Sequence, residues 1–375
     1  MNSEYDIIIV GSGIAGVGLA AALGAGRRIL ILEQEDRHGY HSTGRSAAIF
    51  IQNYGNATIR ALSAASAPLF RQGGERWFGQ PLMTRRGMLS VASEEGLEDH
   101  RQLLDESPDM VVLTRDEAIA MVPALRRDWL AAAAYEPDAQ DLDVSALHEG
   151  WLRQARANGA ELRVGTALTG ARRHGGQWQV ETAKGDVSAP VLVNAAGAWG
   201  DEVARRAGVA PVGLQPMRRT IGVLPRPEGY DIAAWPLIAD SAEGWYAKSD
   251  AGKLYVSPAD EIPVDPHDAY VDDMVLAEGL YRFEQAMDIA VTRVERSWAG
   301  LRTFAPDRTP VAGFDPSADG FFWLAGQGGY GIQTSPALSM LAATLVSGGK
   351  PPVSLERATS ALSPARFRQN AEDPR

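Results

Sequence analysis

Cysteine is absent from the 375 residues, which excludes disulfides, thiolate zinc sites, cysteine-ligated iron–sulfur clusters, a catalytic thiol and a cysteinyl cofactor link. The same absence says nothing about redox compartment. Histidine is scarce as well: six scattered residues include no metal-ligand spacing, so no metal site is expected. No window approaches the roughly eighteen uninterrupted apolar residues of a membrane span. The first residues, Met1 to Asp6, carry no basic n-region, and the apolar run after them is broken by glycine, so no secretory signal is read. A cytoplasmic location is the default expectation, with peripheral contact at the inner membrane left open. Basic charge is in deficit too. Against 47 acidic residues stand 36 basic ones, a net charge of -11, which argues against the concentrated basic surface a nucleic-acid partner requires. What is present is an ordinary globular composition, 45% hydrophobic and 22% charged, far from the signature of disorder. The length exceeds what one core usually serves, so two interleaved substructures are expected.

Ile7-Ile8-Ile9-Val10 is a short β-branched run of the kind that forms a strand buried on both faces. Glycine ends it. Gly11 to Gly16 then leads into the small apolar residues 17–23, which suit a helix packed on a sheet, and Ile29-Leu30-Ile31-Leu32 is a second buried strand with Glu33 at its end. Together they make a βαβ unit. From Ser46 to Phe78 the text is alanine-rich and reads as mainly helical, interrupted by Pro68 and Gly73-Gly74. A strand is expected over Gly87 to Ala92, a helix opening at Asp116 and ending before Pro123, and a longer helix from Leu142 to Asn158 feeding a strand at Glu161 to Val164. Gly175-Gly176 marks a hairpin tip before the alternating run Gln177 to Glu181. Val191 to Asn194 is another buried strand, whose glycine turn enters a helix reaching about Gly208. Between Pro211 and Trp298 prolines, aromatics and alternating stretches point to an antiparallel insertion with one helix near residues 274–287. The buried style returns at Phe321 to Ala325, followed by a glycine turn, a helix from about Thr334 to Val346, and a tail after Pro364 expected to be loose. The expected fold is α/β: a Rossmann-like dinucleotide-binding domain (residues 1–80, 141–212 and 299–375) with an antiparallel substrate-binding domain (81–140 and 213–298).

The glycine motif has a mechanical reason at each position. Gly11 permits the tight turn, Gly13 allows the backbone to approach a pyrophosphate, and Gly16 lets helix and strand pack closely, while the helix N-terminus favours the anion. Alone it is weak evidence, but here it follows a strand, opens a helix and is succeeded by Glu33 at a strand end, suited to a ribose hydroxyl. A carboxylate there repels a 2′-phosphate, which disfavours NADP and leaves FAD and NAD open. The polar segment His41 to Ala48 could wrap the rest of a larger cofactor and place Arg45 against phosphate. His38 and His41 read best as solvated or backbone-bonded.

Five ordered islands carry a resemblance across nearly the whole chain. They are Gly11 to Gly16 with Glu33; Ser42-Thr43-Gly44-Arg45-Ser46-Ala47; Val193-Asn194-Ala195-Ala196-Gly197-Ala198-Trp199; Trp298-Ala299-Gly300-Leu301-Arg302 continuing to Asp307, Pro310 and Gly313; and Gly326 to Gln333. With these the sequence resembles the FAD-dependent D-amino-acid oxidase and glycine oxidase superfamily. Within it the sequence looks most like the bacterial D-arginine dehydrogenase branch, which shares Gly39 to Ser46 and the long final turn. The resemblance implies a non-covalently held FAD. It places Gly11, Gly13, Ile14, Ala15, Gly16, Glu33 and Gln34 at the adenosine diphosphate end, with Ala167 touching adenine through its backbone. Ser42, Thr43, Arg45, Ser46, Ala47, Ala196, Gly197 and Trp199 would lie along the cofactor, and Gly300, Arg302, Gly329, Tyr330, Gly331, Ile332 and Gln333 near the flavin. A helix N-terminus at the last turn would stabilise charge developing near flavin N1.

The resemblance also implies an amino-acid substrate oxidised at Cα. Arg302 and Arg219 match substrate-carboxylate arginines, whose planar fork suits a carboxylate, and Tyr54 and Tyr246 match lid positions over it. Hydride transfer from a neutral amine asks for no strong acid or base. Two departures bear on the substrate. Gly87 stands where the D-arginine branch has a glutamate, and Ile49 and Ile51 replace a histidine and a threonine. These changes remove a charge and make the wall apolar, so a neutral or apolar D-amino acid is expected to be preferred over D-arginine. The alternatives are a 2-hydroxy acid, which would need a pocket base, and a cyclic imino acid. Whether electrons pass to a quinone, a carrier or O2 stays open.

Overall fold

The structure, a computed structural model, describes residues 3–72 and 78–368. The Gly73-Gly74 interruption and the last residues of the tail lie outside the described residues. Six strands form the central sheet in the order Glu161–Arg163, Ile29–Leu32, Ile7–Val10, Val191–Asn194, Phe321–Ala325 and Val311–Phe314. All neighbours are parallel except the last pair. Strand periodicity explains the two cores. Ile7, Ile9, Ile29 and Ile31 face helices Ile14–Leu23 and Gly331–Val346, while Ile8, Val10, Leu30 and Leu32 face Trp178, Val180 and Val203 on the other side. That second face is covered by a four-stranded sheet that includes the hairpin Leu168–His174 and Gln177–Thr182, joined at Gly175-Gly176. Both glycines have positive φ, 57° and 78°, as a two-residue hairpin turn requires.

The second body is a larger, mostly antiparallel sheet. It draws strands from residues 88–136 and from 215–304, with one parallel pair between Leu237–Asp240 and Met88–Ala92. Helix Asp273–Ala286 covers it and buries Phe283 against Trp245, ring centroids 5.4 Å apart. Met83–Arg85 instead joins a small three-stranded sheet with Gln140–Leu142 and Ile49–Phe50.

Three sequence expectations change. Residues 46–56 are not helical: Ile49–Phe50 pairs antiparallel with Gln140 and Asp141, and the helix starts only at Ala57, after Gly55 at φ 87°. Asn56 Oδ1 accepts from the amides of Thr58 and Ile59 and so marks that start. The helix then runs through Pro68 to Gln72 rather than breaking. The tail from Pro364 to Arg368 is packed, because Arg368 bonds Asp315 and the carbonyls of Ala210 and Pro211.

Truncating Phe283 to alanine removes a fully buried ring from the second core. A loss of about 3–5 kcal/mol is expected, read as a lower urea midpoint by tryptophan fluorescence.

Candidate active site

A cleft runs from the glycine motif to the large sheet, lined at one end by Gly11, Gly13, Glu33 and Gln34 and at the other by Arg219, Tyr246 and Arg302. The glycines at the first end are explained by backbone contact. A Cβ on Gly11, whose φ is 105°, would stand 2.3 Å from the Ala195 carbonyl oxygen, and one on Gly16 would stand 1.9 Å from that of Gly11. The helix after them has no capping side chain of its own. Thr43 supplies one from across the cleft, its Oγ1 accepting from the Ile14 amide at 3.0 Å. The amides of Ala15 and Gly16 lie in the first helical turn, where no intrahelical acceptor exists. Ser12, which motif reading passed over as a variable position, donates its amide and hydroxyl to Glu33 Oε2 at 2.9 and 2.6 Å. Its bonds fix the carboxylate at the cleft wall. Ala167, Ala196, Gly197, Trp199, Ser46 and Ala47 line the same space, and Ser42 Oγ ties the segment to the Leu301 carbonyl at 2.6 Å.

Arg45 is a correction. Its guanidinium donates to the carbonyls of Ala269 and Ala299, both at 2.9 Å, and pairs with Asp268. Its donors are thus turned to the second body and not to a phosphate. Gln333 is another. Its side-chain amide is buried on Ile51, accepting from that residue's N–H and donating to its carbonyl, both at 3.2 Å, and it also reaches Ser63. The side chain anchors the segment after Ala48 and does not line the cleft. Nor does Tyr330, whose ring packs between Tyr54 and Phe304. The residues of that turn that do line the cleft are Gln327, Gly328, Gly329, Gly331 and Ile332. The helix begins at Gly331, earlier than the sequence indicated. Its first-turn amides are unpaired within the helix for that reason, and their dipole favours negative charge.

The other end is set by a long ladder between Gln215–Leu224 and Arg296–Phe304. Arg219 pairs with Gly300 and Met217 with Arg302, so Arg219 and Arg302 project diagonally from one face, within reach of a shared ligand. Gly300, opposite Arg219, lines the cleft, and the Arg45 side chain packs over it, its Cβ 3.4 Å from where a Gly300 Cβ would stand. Arg219 is buried and paired with Glu261 at 3.2 Å, while its Nε has no partner. Burial opposes the charge on Arg302, yet hydrogen-bonded Tyr54 and nearby Tyr246 and Glu261 favour it, and the balance holds its pKa above the ordinary arginine value. A Cβ on Gly329 would stand 3.0 Å from Arg302 Nη1. That glycine makes room for the guanidinium, a reason sequence reading did not supply.

Ile51 packs with Met88 and Leu237, and Ile49, Tyr54 and Tyr246 lie against them. This apolar wall and the arginine face meet at the two tyrosines; Tyr246 lines the cleft, whereas Ile49, Ile51 and Tyr54, expected there from the sequence, lie behind its lining. Gly87 belongs elsewhere: its φ is 78° and the Tyr135 hydroxyl fills its side-chain space, 2.3 Å from where a Cβ would be. It opens no pocket. Glu136, beside this wall, was missed by the sequence reading. It is buried, and its carboxyl pKa is raised by that burial although the amides of Asn53 and Gln52 bond it.

A family model described as FAD dependent oxidoreductase, DAO, matches residues 6–345. The chain belongs to this family. It is 26% identical to the bovine FAD-dependent oxidoreductase domain-containing protein 1, covering 92% of this chain and 81% of that one. It is 24% identical to glycine oxidase of Geobacillus kaustophilus (strain HTA426), covering 92% and 94%. Among solved structures, L-proline dehydrogenase from P.horikoshii superposes with a TM-score of 0.83 at 22% identity over 99% of both chains.

FAD is the cofactor of this family, and the cleft fits it on this chain's own features. Free amides stand at two helix N-termini, Glu33 is fixed at one end, and the glycine backbone is exposed at Gly13 and Gly329. Gly13, Ala15 and Glu33 would hold the adenosine diphosphate part, with Gly16 buried behind them and outside the lining, and Gly331 and Ile332 the far ring edge. Among the described residues no helix is long and apolar enough to cross a membrane.

Gly11→Ala forces a collision with Ala195, so purified protein is expected to lose its yellow colour and to take up added FAD at least ~10-fold more weakly, read by flavin fluorescence quenching. Burial pushes the Tyr330 hydroxyl up to about 12. Between pH 10 and 12 an unfolded tyrosine releases its proton while Tyr330 keeps it, so stability falls as pH rises through this window. From pH 10 to 11 the wild type is expected to lose about 1 kcal/mol more than Tyr330→Phe, measured by urea unfolding at each pH.

Proposed function

We propose that this chain oxidises the amine of a neutral or apolar D-amino acid, taking such substrates, and cyclic imino acids, in preference to D-arginine. The observation that carries this reading is the meeting of Arg302, hydrogen-bonded to Tyr54, with the wall of Ile51, Met88 and Leu237 beside Tyr246. FAD, when bound, would supply the acceptor for a hydride from Cα, leaving an imino acid that water would convert to a 2-oxo acid and ammonia.

The protein's task is placement. Arg302 and the unpartnered Nε of Arg219 offer donors for the substrate carboxylate. Tyr54 and Tyr246 close over it and exclude water with their rings. The same two cations raise the local potential, which disfavours an ammonium and leaves more of the substrate amine neutral. No separate base is then required. The side chain is left facing apolar groups, where a guanidinium without a partner would cost about 3–5 kcal/mol. Glu136 is a poor partner for it, since burial favours its protonated form and backbone amides already bond it.

The kinship with the D-arginine dehydrogenase branch, and with it the D configuration, rests on the likeness of Gly39 to Ser46 and of the long final turn. The relative named glycine oxidase supports an amino-acid substrate class in general. Oxidation of a 2-hydroxy acid is the weaker reading, because a base must take the hydroxyl proton. His41 is the histidine among the cleft residues, and its ring is engaged by Glu35 at 2.9 Å.

Anaerobic mixing with D-amino acids, L-amino acids, cyclic imino acids and 2-hydroxy acids tests the assignment. Bleaching of the oxidised flavin band is expected with apolar D-amino acids and cyclic imino acids. Bleaching by hydroxy acids alone, or a highest kcat/KM for D-arginine, overturns it. Arg302→Ala should keep the flavin spectrum and lower kcat/KM for every carboxylate substrate by about 100-fold or more, mainly through KM.

A further inference from the structure

The fold assembles a cluster that sequence spacing gave no hint of. His38, in the turn after the strand Ile29–Leu32, meets His148 and Glu149 of helix Val144–Ala157. One nitrogen or oxygen from each lies within 4.8 Å of the others. The two imidazoles stack with centroids 5.3 Å apart. None of the three has a part in the amine chemistry proposed above.

Three observations give the cluster a chemical use. His148 Nε2 is 2.8 Å from the Ser12 carbonyl oxygen. A carbonyl only accepts, so Nε2 carries the proton and Nδ1 keeps a free lone pair. Burial lowers the His148 pKa, which keeps that lone pair available near neutral pH. Next, His38 Nδ1 is buried without a hydrogen-bond partner and stands 3.6 Å from Glu149 Oε1. That distance is too long for a hydrogen bond. It is close to the roughly 3.4 Å that separates two ligands on a tetrahedral ion with bonds of about 2.1 Å. Finally, the three side chains line a cavity of about 610 Å³ whose wall carries four carboxylates (Asp141, Asp143, Glu149 and Asp250) against one ammonium, that of Lys248. The cavity provides an entry path, room for coordinating water and a potential that favours a cation.

We propose that His38, His148 and Glu149 bind one divalent transition-metal ion of the zinc class. Two imidazole nitrogens select such borderline ions over calcium or magnesium, which take oxygen ligands. The bond from His148 Nε2–H to the Ser12 carbonyl is the outer contact that orients a ligating imidazole. Ser12 in turn donates its amide and hydroxyl to Glu33. An ion on His148 therefore restrains the loop that forms the nucleotide end of the cleft, and the site acts on cofactor retention and not on the chemical step.

The test uses the FAD-loaded protein, freed of metal by a chelator and titrated with Zn(II) in a calorimeter. One ion per chain is expected, with affinity lowered roughly 10–100-fold or more in His38→Ala and in Glu149→Gln. Both positions are partly exposed, and circular dichroism checks that the variants fold. His267→Ala, outside the cluster, should bind as the wild type does. Saturating Zn(II) should also slow FAD release in the wild type and leave it unchanged in the double variant. Absence of saturable binding, or undiminished binding in the double variant, overturns the site. Binding that leaves FAD release unmoved overturns its coupling to the loop.

Discussion

The site hangs on one antiparallel ladder. Residues 215–223 pair one by one with 296–304, and this ribbon puts Arg219 and Arg302 on a common face at a fixed diagonal. Its far end is held to the turn before helix Gly331–Val346 by the bridge between Phe304 and Gln327 and by the Gly328 amide on the Thr303 carbonyl. Its middle is held to the segment after the first βαβ unit, since Arg45 reaches the Ala299 carbonyl and Ser42 that of Leu301. Shifting either strand by one residue would turn its own arginine away from the cleft and break the pair. Strand register is thus the quantity on which the placement of the two arginines depends.

Much of the nucleotide-binding half was legible because its evidence is local. A β-branched run such as Ile7 to Val10, cut off by glycine after four residues, reads as a strand covered on both faces, and the glycine motif, the helix after it and Glu33 follow within one βαβ unit. Arg219, Arg302 and Tyr246 came from motif likeness, and the ladder brings the two arginines to the same cleft as Tyr246. What stayed hidden depends on partners distant in sequence. Arg45 reads as a phosphate ligand until Asp268 is seen beside it. Gln333 reads as a flavin contact until its amide is seen on Ile51. Residues 46–78 taken together are alanine-rich enough to read as mainly helical, but at Ile49–Phe50 strand pairing with Gln140 and Asp141 decides the conformation.

Glycines show the same division. Gly11 and Gly16 serve backbone packing that a local motif encodes, whereas Gly329 is required by the guanidinium of Arg302 and Gly87 by the ring of Tyr135. Nothing near Gly329 or Gly87 in the sequence names those partners. One residue type thus answers to two causes, and only the first can be read along the chain.

The order of strands in the central sheet has a consequence for synthesis. Ile7–Val10 is made first and sits in the interior, flanked by Ile29–Leu32 and by Val191–Asn194, and the sheet is completed only by Phe321–Ala325 and its neighbour Val311–Phe314. Parallel pairing over such separations is slow to form, because the intervening loop must close before any contact repays it. An early apolar strand therefore waits, with one hydrogen-bonding edge uncovered, until Val191–Asn194 has emerged about half-way along the chain. During that interval the growing polypeptide is a natural client for chaperones that shield exposed strands.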